Sequence, residues 1–400
     1  MRLNLLAVCT AALGWAANTA APSKPTFTKD VAPILNQRCV ECHRQGEAAP
    51  MAFTSYKDVR PWARAIKEKV VSRAMPPWLA DARYGHFDNE RRLKQPEIDT
   101  VAAWVDQGAP EGDPKFLPKP PIFEQGWAVG KPDVVFELPQ AVAVQPSGVI
   151  PYQYYTVPTG FKEDTWVQAA EIRPGNRAVV HHIIVFIQPQ GAKEGSPTGR
   201  EKLSGFAPGE QPKVYPAGTA KLIPAGSNLV FQVHYTPNGT AATDRSYIGL
   251  LFAKQPVTRR ALTGTALNTK FTIPPGDGNH EVQSSWEAKE DVRIVDLMPH
   301  MHLRGKDFTY TAVYPNGSRE IVLSVPRYDF NWQLLYQFAE PLRLPKGSRL
   351  ECVAHFDNSS NNKHNPDPNK EVKWGPQTWE EMMIGWFDYT TEAELNAKAR

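Results

Sequence analysis

Val179-Val180-His181-His182-Ile183-Ile184-Val185-Phe186-Ile187 is a run dominated by β-branched residues, with no Gly or Pro, and it predicts a strand. Working outward, similar short runs recur at Asn228 to Tyr235, Ile294 to Met298, Phe308 to Tyr314 and Leu350 to Phe356. Pro237-Asn238-Gly239 and Pro315-Asn316-Gly317 separate them as turns. Repeated short strands of this kind predict β-sandwiches. The β-rich region begins at about residue 132 and is too long for one sandwich of roughly 100 residues, so two are expected, with a boundary near residues 255 to 270. The 37 Pro and 27 Gly among 400 residues argue the same way, against long helical bundles.

A chain that is 41% hydrophobic and 22% charged has an ordinary globular balance, which excludes disorder and collagen-like repeats. The net charge of +3 is spread without a long basic run, so no footprint for nucleic acid is present. Ten His stand beside only four Cys, a ratio that points to metals rather than disulfides.

Three histidine features fall on or beside the expected strands: His181-His182 inside the opening run, His234 after Phe231-Gln232-Val233, and His300-Met301-His302 after Leu297-Met298-Pro299. Residues two apart on a strand share a face, so His300 and His302 can converge on one metal. Adjacent His181 and His182 point oppositely on a regular strand, and both reach one metal only if the strand is twisted or bulged. A lone His234 reads as structural on spacing alone. Imidazole suits copper, zinc and iron, and a thioether favours Cu(I), so a Met joining His300 and His302 would mark copper redox chemistry.

The front of the chain has a different character. Arg2, an apolar run from Leu3 to Ala17 and small residues at Thr19, Ala20 and Ala21 have the form of an export signal over residues 1–21. That run is too short to span a bilayer. Cys9 goes with the signal, a lipoprotein role being the alternative. The product is therefore expected to be exported, periplasmic or extracellular, with no stable membrane insertion. Cys39-Val40-Glu41-Cys42-His43 has the spacing for covalent attachment of haem c: two thiols add to the vinyl groups and the adjacent imidazole ligates iron. Met75, in Arg73-Ala74-Met75-Pro76-Pro77-Trp78, is the expected sixth ligand; Met51, His86 or an open position are the alternatives. Val31, Ile34 and Leu35 form an apolar cluster ahead of the motif. Pro96 starts a helix with Ile98, Val101, Trp104 and Val105 on one face, which Gly108 stops. Residues 22–115 resemble a class I cytochrome c. Proline-rich sequence from Pro110 to Pro121 reads as a stiff linker, with the linker proper assigned to 116–131.

Four blocks give the remainder a specific resemblance: Val180-His181-His182-Ile183, Gln232-Val233-His234-Tyr235, His300-Met301-His302-Leu303-Arg304-Gly305-Lys306 and Glu381-Met382. In this order they are similar to the copper type II, ascorbate-dependent monooxygenases, the peptidylglycine α-hydroxylating and dopamine β-monooxygenase family, over about residues 132 to 395. The resemblance implies two jelly-roll-like sandwiches, 132–260 and 261–400, each carrying one copper ion. By it, His181, His182 and His234 hold the electron-transfer copper, while His300, His302 and Met382 hold the copper at which oxygen reacts. Met383 replaces Met382 if the register slips by one.

Departures from the family matter as well. Peptide-amidating members have an Arg two residues before the His-x-His pair, and an Asn and a Tyr two and four residues after the ligand Met. Those places hold Met298, Ile384 and Trp386, so an apolar, aromatic pocket without a charge partner for a carboxylate is expected. The family's disulfides are missing too, and Cys352 is expected as a buried free thiol. His355 is read as structural, with an outer position near the second copper as the alternative, and His364 as solvated. Trp374, Trp379 and Trp386 are assigned to core or pocket wall rather than to an electron path.

The combined expectation is a mainly β chain, two jelly-roll-like sandwiches behind a small α-helical cytochrome c domain. It would act as an exported copper-dependent monooxygenase that hydroxylates a C–H bond of a small, apolar substrate with molecular oxygen. Its cofactors would be two copper ions and covalently bound heme c. Electrons would enter through the haem from an external donor, either a redox protein or a small reductant such as ascorbate. The runner-up is a non-enzymatic haem and copper electron-transfer or copper-binding protein, and the third reading is a zinc hydrolase using His300 and His302.

Overall fold

The computed structural model describes residues 24–391 apart from 46, 48, 124–125, 193–199 and 208–209. The expected signal segment, with Cys9, lies outside the described residues. The chain is mainly β, arranged in several sheets. No helix among the described residues is long and apolar enough to cross a membrane.

The opening run forms the strand Val180–Gln188. It pairs antiparallel with Asn228–Tyr235 on one side and Lys202–Phe206 on the other, and Gln153–Pro158 completes a four-stranded sheet. Ile183, Val185 and Ile187 point into the first hydrophobic core with Phe231 and Val233. The alternate residues Ile184 and Phe186, with Val230, point the other way and meet Met298, Met382, Ile384 and Trp386 from the second half of the chain. Burial on both faces explains why this strand is apolar throughout instead of alternating.

In the second half, the sheet of His280–Glu287, Arg349–Phe356, Gly305–Val313 and Arg319–Val325 packs on a sheet containing Arg259–Asn268, Met383–Thr391, Val292–His300 and Tyr336–Leu344. The first strand of the second half is Arg259–Asn268. The two halves have separate cores but share a sheet: Arg259 and Arg260 pair parallel with Thr219 and Ala220, which makes one continuous nine-stranded sheet. Buried charges lock this junction. Lys213 bridges Asp296 and Asp388, while Lys221, fully buried, donates to the Lys202 carbonyl (2.6 Å) and lies 3.3 Å from Asp388. Burial alone would raise the Asp388 carboxyl, but Lys213, Lys221 and Lys202 outweigh it and hold the group well below the usual carboxylate range.

Ala32–Arg38, Tyr56–Val59, Ala63–Val71 and Gln95–Asp106 are the α-helices of the front unit, packed around Val31, Leu35, Ile66, Val101 and Trp104. The last helix starts and ends as its sequence predicts: Pro96 sits in the first turn, the Lys94 N–H donates to Glu97, and Gly108 takes φ +86° beyond the end.

Two features depart from the expected organisation. The Pro-rich segment, read as a stiff linker, is tied at its start to the helical unit. Prolines lack N–H groups but keep their carbonyls, and Pro110 accepts from Phe27 N and Trp104 Nε1. Secondly, residues 78 to 89, assigned by sequence to the front unit, are built into the second half. Trp78 packs edge-on to Tyr336 (4.9 Å), Phe87 against Phe338 (5.3 Å), and Phe87 pairs with Phe338 as an antiparallel bridge. Backbone bonds from Asp81 to Ser324 and from Asp88 to Gln337 fix the segment further.

Candidate metal centres

His182 lies directly opposite His234 in the pairing of their strands, and the register shifts between Val180 and His182. His181 is therefore the extra residue of a β-bulge. A bulge turns one side chain out of the alternating pattern, which brings His181 to the face that His182 already occupies. The ligand atoms of His181, His182 and His234 all lie within 4.8 Å of one another, a group that can hold a metal ion. His182 Nε2 and His234 Nδ1 are buried and have no hydrogen-bond partner among the described residues. An orphaned imidazole nitrogen is costly in a core and is the form a metal ligand takes before metal is added. Burial holds the imidazoles neutral: His234 is pushed down to about 3, and His182 goes well below its ordinary range, with the neighbouring histidines contributing.

Across the interface, His300 ends the strand Val292–His300 and His302 follows it, with their rings 5.2 Å apart. Each is oriented through Nδ1, His300 by Gln333 Oε1 (2.7 Å) and His302 by the Glu380 carbonyl (3.1 Å). His302 Nε2 is buried and has no hydrogen-bond partner among the described residues. Burial lowers His300 to about 4 and His302 well below its ordinary range. Ile384 is the cross-strand partner of His300. Since residues two apart share a face, Met382 lies on the His300 side with Ile384 and Trp386, and Met383 turns into the second core. Glu381 accepts from the backbone N–H groups of His302 (2.8 Å) and Arg304 (2.7 Å), tying the His-x-His turn to the residue before Met382. Burial pushes its carboxyl up to about 8 despite those two donors and the Arg304 charge.

The two sets face each other across single aromatic rings. Tyr152 lies 4.8 Å from His234 and 6.2 Å from His302. Phe330 stacks on His181 and stands 5.9 Å from both His234 and His302. The space beside them is lined by apolar Ile183, Ile184, Phe206 and Met298 together with polar Lys202, Glu210 and Gln333, and the buried Lys202 places Nζ 4.0 Å from Met298 Sδ. Tyr152, Phe330, Gln333 and Lys202 were not singled out by sequence, because none stands at a fixed spacing from a histidine. Glu381 was visible only as the neighbour of Met382.

At the front, Cys39 ends the helix Ala32–Arg38, and the N–H groups of Cys42 and His43 donate back to its carbonyl. Both thiols are free and half-buried. His43 stacks on Phe53 (4.1 Å), and its Nδ1 meets the Met51 carbonyl (3.2 Å), which orients the ring and leaves Nε2 as the ligand position. Free thiols and an oriented imidazole fit haem attachment, as the orphaned nitrogens fit a metal at the other two sets. Met51 is engaged through its backbone beside His43, and the exposed His86 is drawn into the second half, where its carbonyl accepts from Ala339. Met75 lines a cavity beside Trp78 and Leu93.

The other singled-out residues stay outside these sets. Cys352 is a buried free thiol, His355 bridges Asp307 (2.7 Å) and Glu281 (3.4 Å), and His364 is exposed. Trp386 and Trp374 pack in the interface cluster, whereas Trp379 is exposed.

No family model and no curated protein matches the chain. Among solved structures it is similar to that of the infectious bursal disease virus Gx strain, at 11% identity over 65% of this chain and 73% of that one, with a TM-score of 0.21. It is also similar to PNGF-II, at 9% identity over 68% and 64%, TM-score 0.24. A mutant of Bacillus subtilis oxalate decarboxylase OxdC matches at 9% identity over 70% and 83%, TM-score 0.15. Similarities this weak carry no argument about fold or function.

Proposed function

We propose that the chain is an exported, haem-linked copper monooxygenase that hydroxylates a C–H bond of a small substrate with molecular oxygen. In this reading the two cores are the jelly-roll-like sandwiches of the copper type II monooxygenases, and the front unit is a class I cytochrome c. The observation that carries it is the bulge at His181, which gathers His181, His182 and His234 around one point and faces them toward His300, His302 and Met382. A regular strand would have separated the first pair, and a purely structural histidine would not leave a buried nitrogen orphaned. Copper at the two sets would supply two one-electron reductants for oxygen chemistry, and haem c would relay electrons one at a time.

The chain's own residues contribute orientation, exclusion of water and a route. Gln333 and the Glu380 carbonyl engage Nδ1 of His300 and His302, so Nε2 is the nitrogen that would bind a metal. Glu381 keeps Met382 beside them. Ile184, Phe186, Met298 and Trp386 keep the surroundings dry, and Lys202 and Glu210 line the small cavity at the edge of that cluster. Trp78, three residues after Met75, touches Tyr336, which follows by three residues the Gln333 that contacts His300.

One observation favours the runner-up, a haem and copper electron-transfer protein without oxygenation. The interface is closely filled, and the cavity beside His182, Met298 and Gln333 is only about 10 Å³.

The deciding experiment is metal analysis of the holoprotein followed by oxygen uptake with ascorbate and a panel of small hydrophobic substrates, with products weighed for the gain of one oxygen atom. Two copper per haem iron, substrate-dependent uptake and its loss in Met382→Ile are expected. Copper and haem present with no substrate oxygenated would leave the electron-transfer reading standing, and zinc in place of copper would overturn both.

A further inference from the structure

We infer that the cavity between the front helical unit and the second sandwich receives the carboxylate edge of the haem, and that Arg327, contributed by the sandwich, completes the haem site. This rests on the haem reading above. The cavity has a volume of about 360 Å³. One part of its wall is apolar: Val70, Met75, Trp78, Leu93 and Ile98. Val70, Leu93 and Ile98 belong to the same core that packs on Cys39, so the wall is built from the interior of the attachment unit.

Three arginines also line the cavity. Arg73 and Arg92 come from the front unit and Arg327 from the turn that follows the strand Arg319–Val325. Asp81, an acid in the same wall, is already held by Arg83 at 2.6 Å, and Arg92 has Glu90 at 3.4 Å. Among the described residues Arg73 donates to neutral oxygens, the Leu93 carbonyl and Gln95 Oε1. Among the described residues no carboxylate lies within ion-pair distance of Arg73 or Arg327. An apolar pocket that also presents guanidinium groups matches a flat apolar molecule bearing carboxylates along one edge. Haem is such a molecule: thioethers tether its vinyl edge at Cys39 and Cys42, which leaves the two propionates on the far side. Guanidinium groups pair with carboxylates through two parallel hydrogen bonds, the strongest common contact for that edge. The sandwich wall is held in place by the Asp81 N–H to the Ser324 carbonyl (2.8 Å) and by Trp78 on Tyr336.

The test is the haem midpoint potential in the holoprotein, compared among the parent chain, Arg327→Gln and Arg327→Lys. A cation beside the propionates favours the ferrous state, which carries one more electron, so its removal lowers the midpoint. Arg327→Gln is expected to raise the ferric-to-ferrous ratio at fixed potential about threefold to tenfold, up to about 59 mV for one electron. Arg327→Lys should restore most of the shift, and added salt should shrink it. Three equal midpoints, with haem covalently attached and its visible spectrum unchanged, would overturn the Arg327 assignment alone. A chain that takes up no covalent haem on denaturing gels would overturn the haem reading and this inference with it.

Discussion

His181 owes its position to one extra residue in its strand. Without the shift between Val180 and His182 its ring would enter the first core with Ile183, and only His182 and His234 would share a face. The histidine pairs were legible in the sequence as candidates. The bulge was not, because a bulge is set by how the partner strand registers, and the partner's register is invisible in the run itself. Gln333 was hidden for a related reason: it reaches His300 from 33 residues away. Its removal leaves Nδ1 of His300 unoriented, so Gln333→Ala is expected to weaken metal binding at that set about 10- to 100-fold while the three-histidine set keeps its affinity. Competition titration with a copper chelator measures both. The buried imidazoles also set a pH dependence for the metal-free protein. Their folded-state values lie below the unfolded value of about 6.5, down to about 4 for His300 and about 3 for His234, so the unfolded chain binds more protons. The stability they contribute is complete above about pH 6.5 and is lost as the pH falls toward 3. Denaturant midpoints of metal-free protein across that range should fall with acid, and a flat profile would contradict the burial of these rings.

The strand Val180–Gln188 shows what an element's sequence reveals. Its apolar residues announced a strand, and their unbroken run now has its reason in the second layer of side chains from Met298, Ile384 and Trp386. The segment from Trp78 to Asn89 behaved differently. It carries no strong periodicity and reads as loop, yet Trp78 and Phe87 fill a corner of the second core against Tyr336 and Phe338. Loop residues buried by another unit leave no local signature. Trp78→Ala removes a buried aromatic from that corner and is expected to cost about 3 to 5 kcal/mol, read as a lowered denaturant midpoint. Trp78→Phe should recover most of it. In the proposed enzyme the same Ala variant should also slow reoxidation of the haem by the oxidised copper sites after an anaerobic one-electron reduction.

Across the whole molecule, the shared sheet joins the two halves where Lys213 and Lys221 meet Asp296 and Asp388. Taking away one member leaves buried ammonium groups uncompensated, so Asp388→Ala is expected to destabilise the chain by about 3 to 5 kcal/mol, and a calorimetric scan should show the halves losing cooperativity. These four residues lie on four strands, and nothing in their local sequence pairs them. What the sequence by itself determined is local: the β character, the turns, the capped helix from Gln95 to Asp106, the Cys39-to-His43 motif and the histidines as candidates. Each of these depends on side-chain type at fixed short spacing, which the covalent chain sets. Only the tertiary structure decided the convergence of His181 with His182 and His234, the side on which Met382 lies, the docking of residues 78 to 89 and the joining of two cores by one sheet. Those depend on strand register and on which faces meet, and they follow from burying apolar surface and pairing buried charge over the whole chain at once.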